Sequence, residues 1–302
     1  MRWDSPGLPR GKVPSVASRL ALLLLMSACS GHPAKTATPA QPPAALARLP
    51  EGAPLVTTGE HMTYKLSLMG AELATFELAV GDPATVAGKP TIVVQSHAKV
   101  SGIGELAASA AGIHVDDTFT SWIDTTTGRP LRWYCDEFAT KSTDKERSEA
   151  RLAERSGNTV PMEFHVNDDP PKPEPQTVSM PDTWDYNSFL VALRSWEGPP
   201  GSSVSAEVLR SRYLWHVDMK IHGKDKLHTV LGDFPALRLD GHTYRLERNG
   251  QKSPGADERD FSIWISDDDG RVPLRVVAKT DYGDVELSIV DYQPGTGQRA
   301  GQ

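Results

Sequence analysis

Three groups of side chains in this sequence are of types that could do chemistry, and each has a plainer structural reading beside it. Asp267-Asp268-Asp269-Gly270 supplies the carboxylates and glycine of a calcium loop. Calcium loops place their ligands at alternate positions. Three consecutive aspartates point in different directions, so a polar turn is the expected reading. His216, Asp218 and His222 share one parity along the alternating run from Tyr213 to Ile221. Positions two apart stand ~7 Å apart on one face of a strand. A metal there would need a ligand from another strand, with His228 or His242 as the donors; the wet face of a sheet is the simpler explanation. Cys135 lies in Leu131-Arg132-Trp133-Tyr134-Cys135. A reactive thiol needs a nearby histidine and a lowered pKa; with neither signalled, a buried and inert cysteine is expected.

Hydrolase signatures of the Gly-x-Ser-x-Gly or His-Glu-x-x-His kind do not occur. Gly102-Ile103-Gly104 lacks the rest of a dinucleotide fingerprint, and no alternation of strands and helices surrounds it. The acidic residues are scattered, so no carboxylate pair is marked out. No enzyme is indicated, and no cofactor or metal is called for. The most suggestive residues are aromatic. Trp184, Tyr186, Phe189, Leu193 and Trp196 fall in one helical run, and they are the candidate ligand contacts. Two readings of that run stand side by side: a helix packed on a sheet with its aromatics in the core, or a lid making an apolar pocket.

The elements that must position these residues are mostly strands. Met62, Tyr64, Leu66 and Leu68 alternate with Thr63, Lys65 and Ser67; Gly70 breaks the run, and Ala74, Phe76, Leu78 and Val80 return it as a hairpin. Alternation recurs at 92–100, 113–123, 160–166, 213–221, 261–265, 272–278 and 285–289. A helix is predicted from Asp182, as N-cap, through Trp196, with Gly198-Pro199-Pro200 stopping it. A shorter helical piece is predicted over Glu105–Ala111. Trp122-Ile123-Asp124 leads to Gly128-Arg129-Pro130-Leu131-Arg132, and Trp264-Ile265-Ser266-Asp267 leads to Gly270-Arg271-Val272-Pro273-Leu274-Arg275. The same turn chemistry used twice explains this repeat most simply; two related halves are the alternative. The fold expected is mainly β: one large, curved antiparallel sheet or partly closed barrel with one packed α-helix.

The N-terminus sets the compartment. Arg10, Lys12 and Arg19 precede the apolar run Leu20–Met26, which is far shorter than the ~20 residues of a membrane-spanning helix. This is a secretory signal. Met-Ser-Ala-Cys29 resembles the bacterial lipobox, which implies cleavage after residue 28 and lipidation of Cys29. Residues 29–55 are rich in Pro and Ala and are expected to form an extended tether. The β-rich domain is expected over 56–295, and 296–302 as a disordered tail. With Cys29 lipidated, Cys135 is the remaining thiol, so no internal disulfide is available. The formal net charge is -7, which argues against nucleic acid as a partner.

The ordered set of motifs is similar to the bacterial family called domain of unknown function 3108. The set comprises the Tyr64–Val80 hairpin, the Trp122 hairpin, the Asp185-Tyr186-Asn187-Ser188-Phe189-Leu190 helix and the Trp264 hairpin. The resemblance implies an exported, β-rich envelope protein with no established activity, so it carries over no catalytic residue. The expected location is the cell envelope, lipid-anchored at the periplasmic face of the outer membrane. The expected role is non-enzymatic: binding or carriage of a hydrophobic ligand or envelope client. A structural lipoprotein docking on an envelope complex is the alternative. The partners expected are therefore the membrane, through the lipid anchor, and a lipid or an envelope protein.

Overall fold

The computed structural model describes residues 48–101, 115–138, 143–255, 258–280 and 283–301. The signal, Cys29 and the Glu105–Ala111 segment lie outside the described residues. In chain order the strands are β1 (His61–Leu68), β2 (Ala71–Val86), β3 (Lys89–Val100), β4 (Asp116–Asp124), β5 (Pro130–Phe138) and β6 (Lys145–Ala150). Then follow β7 (Thr159–Val160), β8 (Met162–Val166), β9 (Lys172–Pro173), β10 (Gln176–Thr177) and β11 (Thr183–Asp185). A helix, α1 (Tyr186–Arg194), leads into β12 (Ser203–Arg210), β13 (Tyr213–Thr229), β14 (Gly232–Leu246), β15 (Arg259–Ser266), β16 (Pro273–Thr280) and β17 (Gly283–Gln293).

Fifteen of these strands form one sheet, in the order β11-β12-β13-β14-β15-β16-β17-β1-β2-β3-β4-β5-β6-β8-β9. The pairings are antiparallel except for β11 with β12, which are parallel and joined through α1. The ladder does not return on itself, so the sheet is curved but not hydrogen-bonded shut. Side chains join its two ends instead. Phe119, Trp133, Cys135 and Met162 from one end pack with Leu209, Leu214 and Leu246 from the other. Glu174, just past β9, pairs with Arg212 at 2.7 Å and with Arg248 at 2.5 Å. Ser211 donates to Glu137 at 2.6 Å across the same seam. The free edge at β9 is only Lys172-Pro173, and a short strand with proline resists pairing with another chain.

Among the strands of six or more residues, three escaped the hydrophobic pattern. Lys145–Ala150 is Lys-Glu-Arg-Ser-Glu-Ala, whose inner face carries Glu146, Ser148 and Ala150 and no large apolar side chain; β12 and β14 likewise alternate too weakly to be seen. The domain is also wider than expected. Leu49, 3% exposed, belongs to the main core together with Val56 at the expected start of the domain, so the core takes in a residue from the end of the segment assigned to the tether. At the other end, the residues expected to be a disordered tail run beside the start of the domain: Gly297 N donates to Thr58 O and Ala300 N to Val56 O. Each strip satisfies backbone groups of the other.

The two repeated hairpins have the same register. Trp122 pairs with Arg132 and Ile123 with Pro130, with a bulge between. Trp264 pairs with Arg275 and Ile265 with Pro273, again with a bulge between. The match extends outward. Val94 pairs with Val80 just before a bulge in β2, as Leu239 pairs with Ile221 just before a bulge in β13. β2–β5 and β13–β16 therefore share one pattern of register and bulges.

Candidate functional site

The helix organises the interior. Every residue from Asn187 to Arg194 is buried, so α1 lies inside the curved sheet as a plug, and the lid geometry is not what the structure shows. It begins later than predicted. Asp185, not Asp182, is the N-cap, because Thr183–Asp185 is held as a strand by pairing with Glu207–Leu209. Asp182 instead pairs with Arg129 at 3.2 Å.

Each polar residue at the start of α1 has a buried partner. Ser188 N donates to Asp185 Oδ1 at 3.0 Å, and Asp185 N donates to Ser188 Oγ at 3.0 Å, a reciprocal cap. Ser121 Oγ also donates to Asp185, at 2.5 Å. Burial pushes the Asp185 carboxyl up to about 6 despite the hydrogen bonds from Ser121 and Ser188. Asn187 accepts from Ser96 Oγ at 2.8 Å and donates to the carbonyls of Val94 and Phe119. The helix start is thereby tied to β3 and β4.

The two repeated hairpins grip the same segment from opposite ends. Arg129, in the first turn, lies 4.4 Å from the centre of the Trp184 ring. Arg271, in the second, donates to the carbonyls of Arg194 and Trp196 at 3.0 and 2.9 Å. Those are carbonyls at the helix C-terminus, where a cation also meets the negative end of the helix dipole. Arg194 reaches back to Gly270 O at 2.7 Å and pairs with Glu60 through both carboxylate oxygens.

Among the described residues, the clefts beside the helix are small. A cleft of about 40 Å3 lies between Tyr186, Phe189 and Leu190 of α1 and the sheet residues Val208, Trp215 and Phe261, with Arg210 at its wall. The Trp215 Nε1 has no hydrogen-bond partner among the described residues. Nearby, burial raises Asp117 to about 7, with the neighbouring Glu137 adding to the effect, and burial raises Glu137 as well. The Cys135 thiol is fully buried and pushed far up by the same desolvation.

The outer face of β13–β15 is polar. His222 pairs with Asp240 at 2.9 Å, His242 with Asp260 at 2.9 Å, and His216 with Asp218 at 3.2 Å. Each ring has its own carboxylate, so the histidines do not converge. Among the described residues no group of three or more potential ligands is placed to hold a metal. In the Asp267–Asp269 turn, Asp268 Oδ1 accepts from Gly270 N and Arg271 N, while Asp267 pairs with Lys224 at 2.7 Å. These carboxylates shape the turn that presents Arg271.

The chain matches the family described as protein of unknown function DUF3108 over residues 62–290. It belongs to that family. Three solved structures are similar at the level of fold alone. A β-barrel-like DUF1849 protein from Brucella abortus is 9% identical, with 79% of this chain and 99% of that chain covered and a TM-score of 0.48. A Bacteroides fragilis protein described as exported with a YmcC-like fold is 6% identical, with 80% and 99% covered and a TM-score of 0.37. A Parabacteroides distasonis protein described as a lipoprotein is 10% identical, with 80% and 99% covered and a TM-score of 0.35. No functionally curated protein matches the chain.

In this DUF3108 protein the five aromatic and apolar candidates separate. Tyr186 and Phe189 line the small cleft. Trp184 sits under Arg129, and Leu193 and Trp196 are core residues at 0% and 5% exposure. The residues that hold the plug, Glu60, Asn187, Arg194 and Arg271, were not singled out by sequence. The Asp-Tyr-Asn-Ser motif was the one available signal, since three polar residues opening an apolar helix need partners wherever they are buried.

Proposed function

We propose that this DUF3108 protein is a non-enzymatic lipoprotein of the cell envelope, anchored through Cys29 at the periplasmic face of the outer membrane. It binds its client on the outside of a filled β scaffold. The observation that carries this reading is the plug: α1 occupies the lumen, is held at both ends by arginines, and among the described residues has beside it clefts of only about 40 Å3 each. A lipid-sized ligand site is roughly 300–1,000 Å3. The tether then gives the scaffold reach from the membrane.

A second reading is an amphiphile held in the cleft. The unpartnered Trp215 Nε1 favours it, because a buried donor in an apolar cleft would suit an oxygen-bearing head group, with the Arg210 guanidinium at the cleft wall beside the acidic Asp117 and Glu137. Trp184, Tyr186, Phe189, Leu193 and Trp196 would then respond to the ligand, and α1 would have to move. Native mass spectrometry of the processed chain from Ser30 onward, made in a periplasm, separates the two. A bare protein mass, unchanged after addition of envelope lipids, is expected. A stoichiometric adduct of lipid mass, lost on Phe189→Trp, would overturn the first reading and establish the second.

A further inference from the structure

A far larger space than the inner cleft lies on the outside of the sheet. It has a volume of about 580 Å3 and runs across β13–β16, within the range of small-ligand sites. Its wall includes the Trp264 indole, and its polar lining is set out by the ladder. Lys220 pairs with Asp240, and Asp240 with Ser262; one step along, Arg238 pairs with Trp264.

The charges in this groove balance. Asp218, Asp240 and Asp260 stand against Lys220, Arg238 and Lys279, with His242 between them. A groove with no net charge has no overall preference for an anion or a cation, and its polar groups suit a ligand that both donates and accepts hydrogen bonds. It is equipped for that. Asp240 accepts from Ser262 Oγ at 2.7 Å, Arg238 Nε at 2.8 Å and His222 Nδ1 at 2.9 Å, which fixes planar groups in place. Trp264 is fixed too, its Nε1 donating to Asp225 at 2.9 Å. Preorganised groups of this kind lose little entropy on binding.

We propose that this groove binds a neutral saccharide, with a sugar ring packed against the Trp264 indole and its hydroxyls bonded to the fixed Asp, Arg and His side chains. A pyranose presents an apolar C–H face and a rim of hydroxyls that both donate and accept. Those are the complements of an aromatic wall beside alternating acidic and basic planar groups. The proposal rests on the reading of a filled scaffold with outward recognition, and names the class of ligand it takes.

The test is a titration of the 15N-labelled processed chain, which keeps every described residue, with maltotriose, cellotriose and chitotriose, followed by NMR. At least one of them is expected to shift the Trp264 indole resonance. Trp264→Ala and Asp240→Asn are each expected to weaken binding at least tenfold while the thermal melt holds, whereas Phe189→Leu leaves binding unchanged. Absence of any shift with all three sugars overturns the proposal. So does binding indifferent to Trp264→Ala, or tighter, salt-sensitive binding of an oligogalacturonate, which would make the ligand anionic. The lipid-adduct experiment reports separately: an adduct alongside intact sugar binding would sink the filled scaffold and leave the groove standing.

Discussion

Arg194 and Glu60, 134 positions apart in sequence, meet inside the protein with both guanidinium amines on both carboxylate oxygens, at 3.0 and 2.8 Å. Their side chains are 4% and 3% exposed. The pair couples the plug helix to the segment just before β1, where the first and last strands of the chain, β1 and β17, run side by side in the middle of the sheet. Tyr292 from β17 adds a third bond to Glu60, at 3.2 Å. One buried contact therefore joins the beginning, middle and end of the domain.

Removing one partner leaves the other charge buried and alone, which costs ~3–5 kcal/mol. Arg194→Met is therefore expected to lower Tm by roughly 10 °C, at ~2–4 °C per kcal/mol for a domain of this size. Adding Glu60→Gln should recover part of the loss. A single-variant shift below about 2 °C would show that the pair does not hold the plug.

Arg271 and Arg129 grip α1 from opposite ends, and their removal should loosen it from opposite ends. Arg271→Ala is expected to cost ~1–2 kcal/mol by freeing two helix-end carbonyls. Amide exchange should then quicken first at Leu193–Trp196, whereas Arg129→Ala should act first around Trp184. Identical exchange profiles for the two variants would contradict separate clamps.

Gly241 is required for space. A Cβ there would lie 2.3 Å from the Phe261 ring, which covers the glycine from its paired position on β15. Gly241→Ala should destabilise by ~1–3 kcal/mol through overpacking. In combination with Phe261→Leu the two costs should be less than additive, which a double-mutant cycle measures; strict additivity would mean that the ring is not the obstacle.

Stability should fall as pH rises from mildly acidic to neutral. Asp185 and Asp117 are raised by burial to about 6 and about 7, above the ~3.9 of an unfolded aspartate. The folded state thus binds these protons more tightly than the unfolded one. Their contribution is full below pH ~4 and is lost as pH climbs through about 6 and about 7. Tm is expected to drop by several degrees between pH 5 and pH 8, and Asp117→Asn, whose amide oxygen still accepts from Phe138 N, should flatten the upper part. An unchanged slope in that variant would remove Asp117 as the source.

By itself, the sequence determined the strand-rich class, the paired Trp…Gly-Arg hairpins and the presence of one aromatic helix. These follow from short-range periodicity and turn chemistry, which are written in neighbouring residues. It also identified Cys135 as a candidate for burial. It placed the N-cap three residues early, because the parallel partner that holds Thr183–Asp185 as a strand lies more than twenty positions away. It missed β6, where Lys145, Arg147 and Glu149 lie on the outer face and the inner face carries Glu146, Ser148 and Ala150 without a large apolar side chain. Only the tertiary structure decided that the helix is a plug, that Arg129 and Arg271 hold it, and that Glu60 meets Arg194. The reason is physical. A buried charge is tolerable only with its partner, and the curvature of a fifteen-stranded sheet, not the spacing along the chain, brings those partners together.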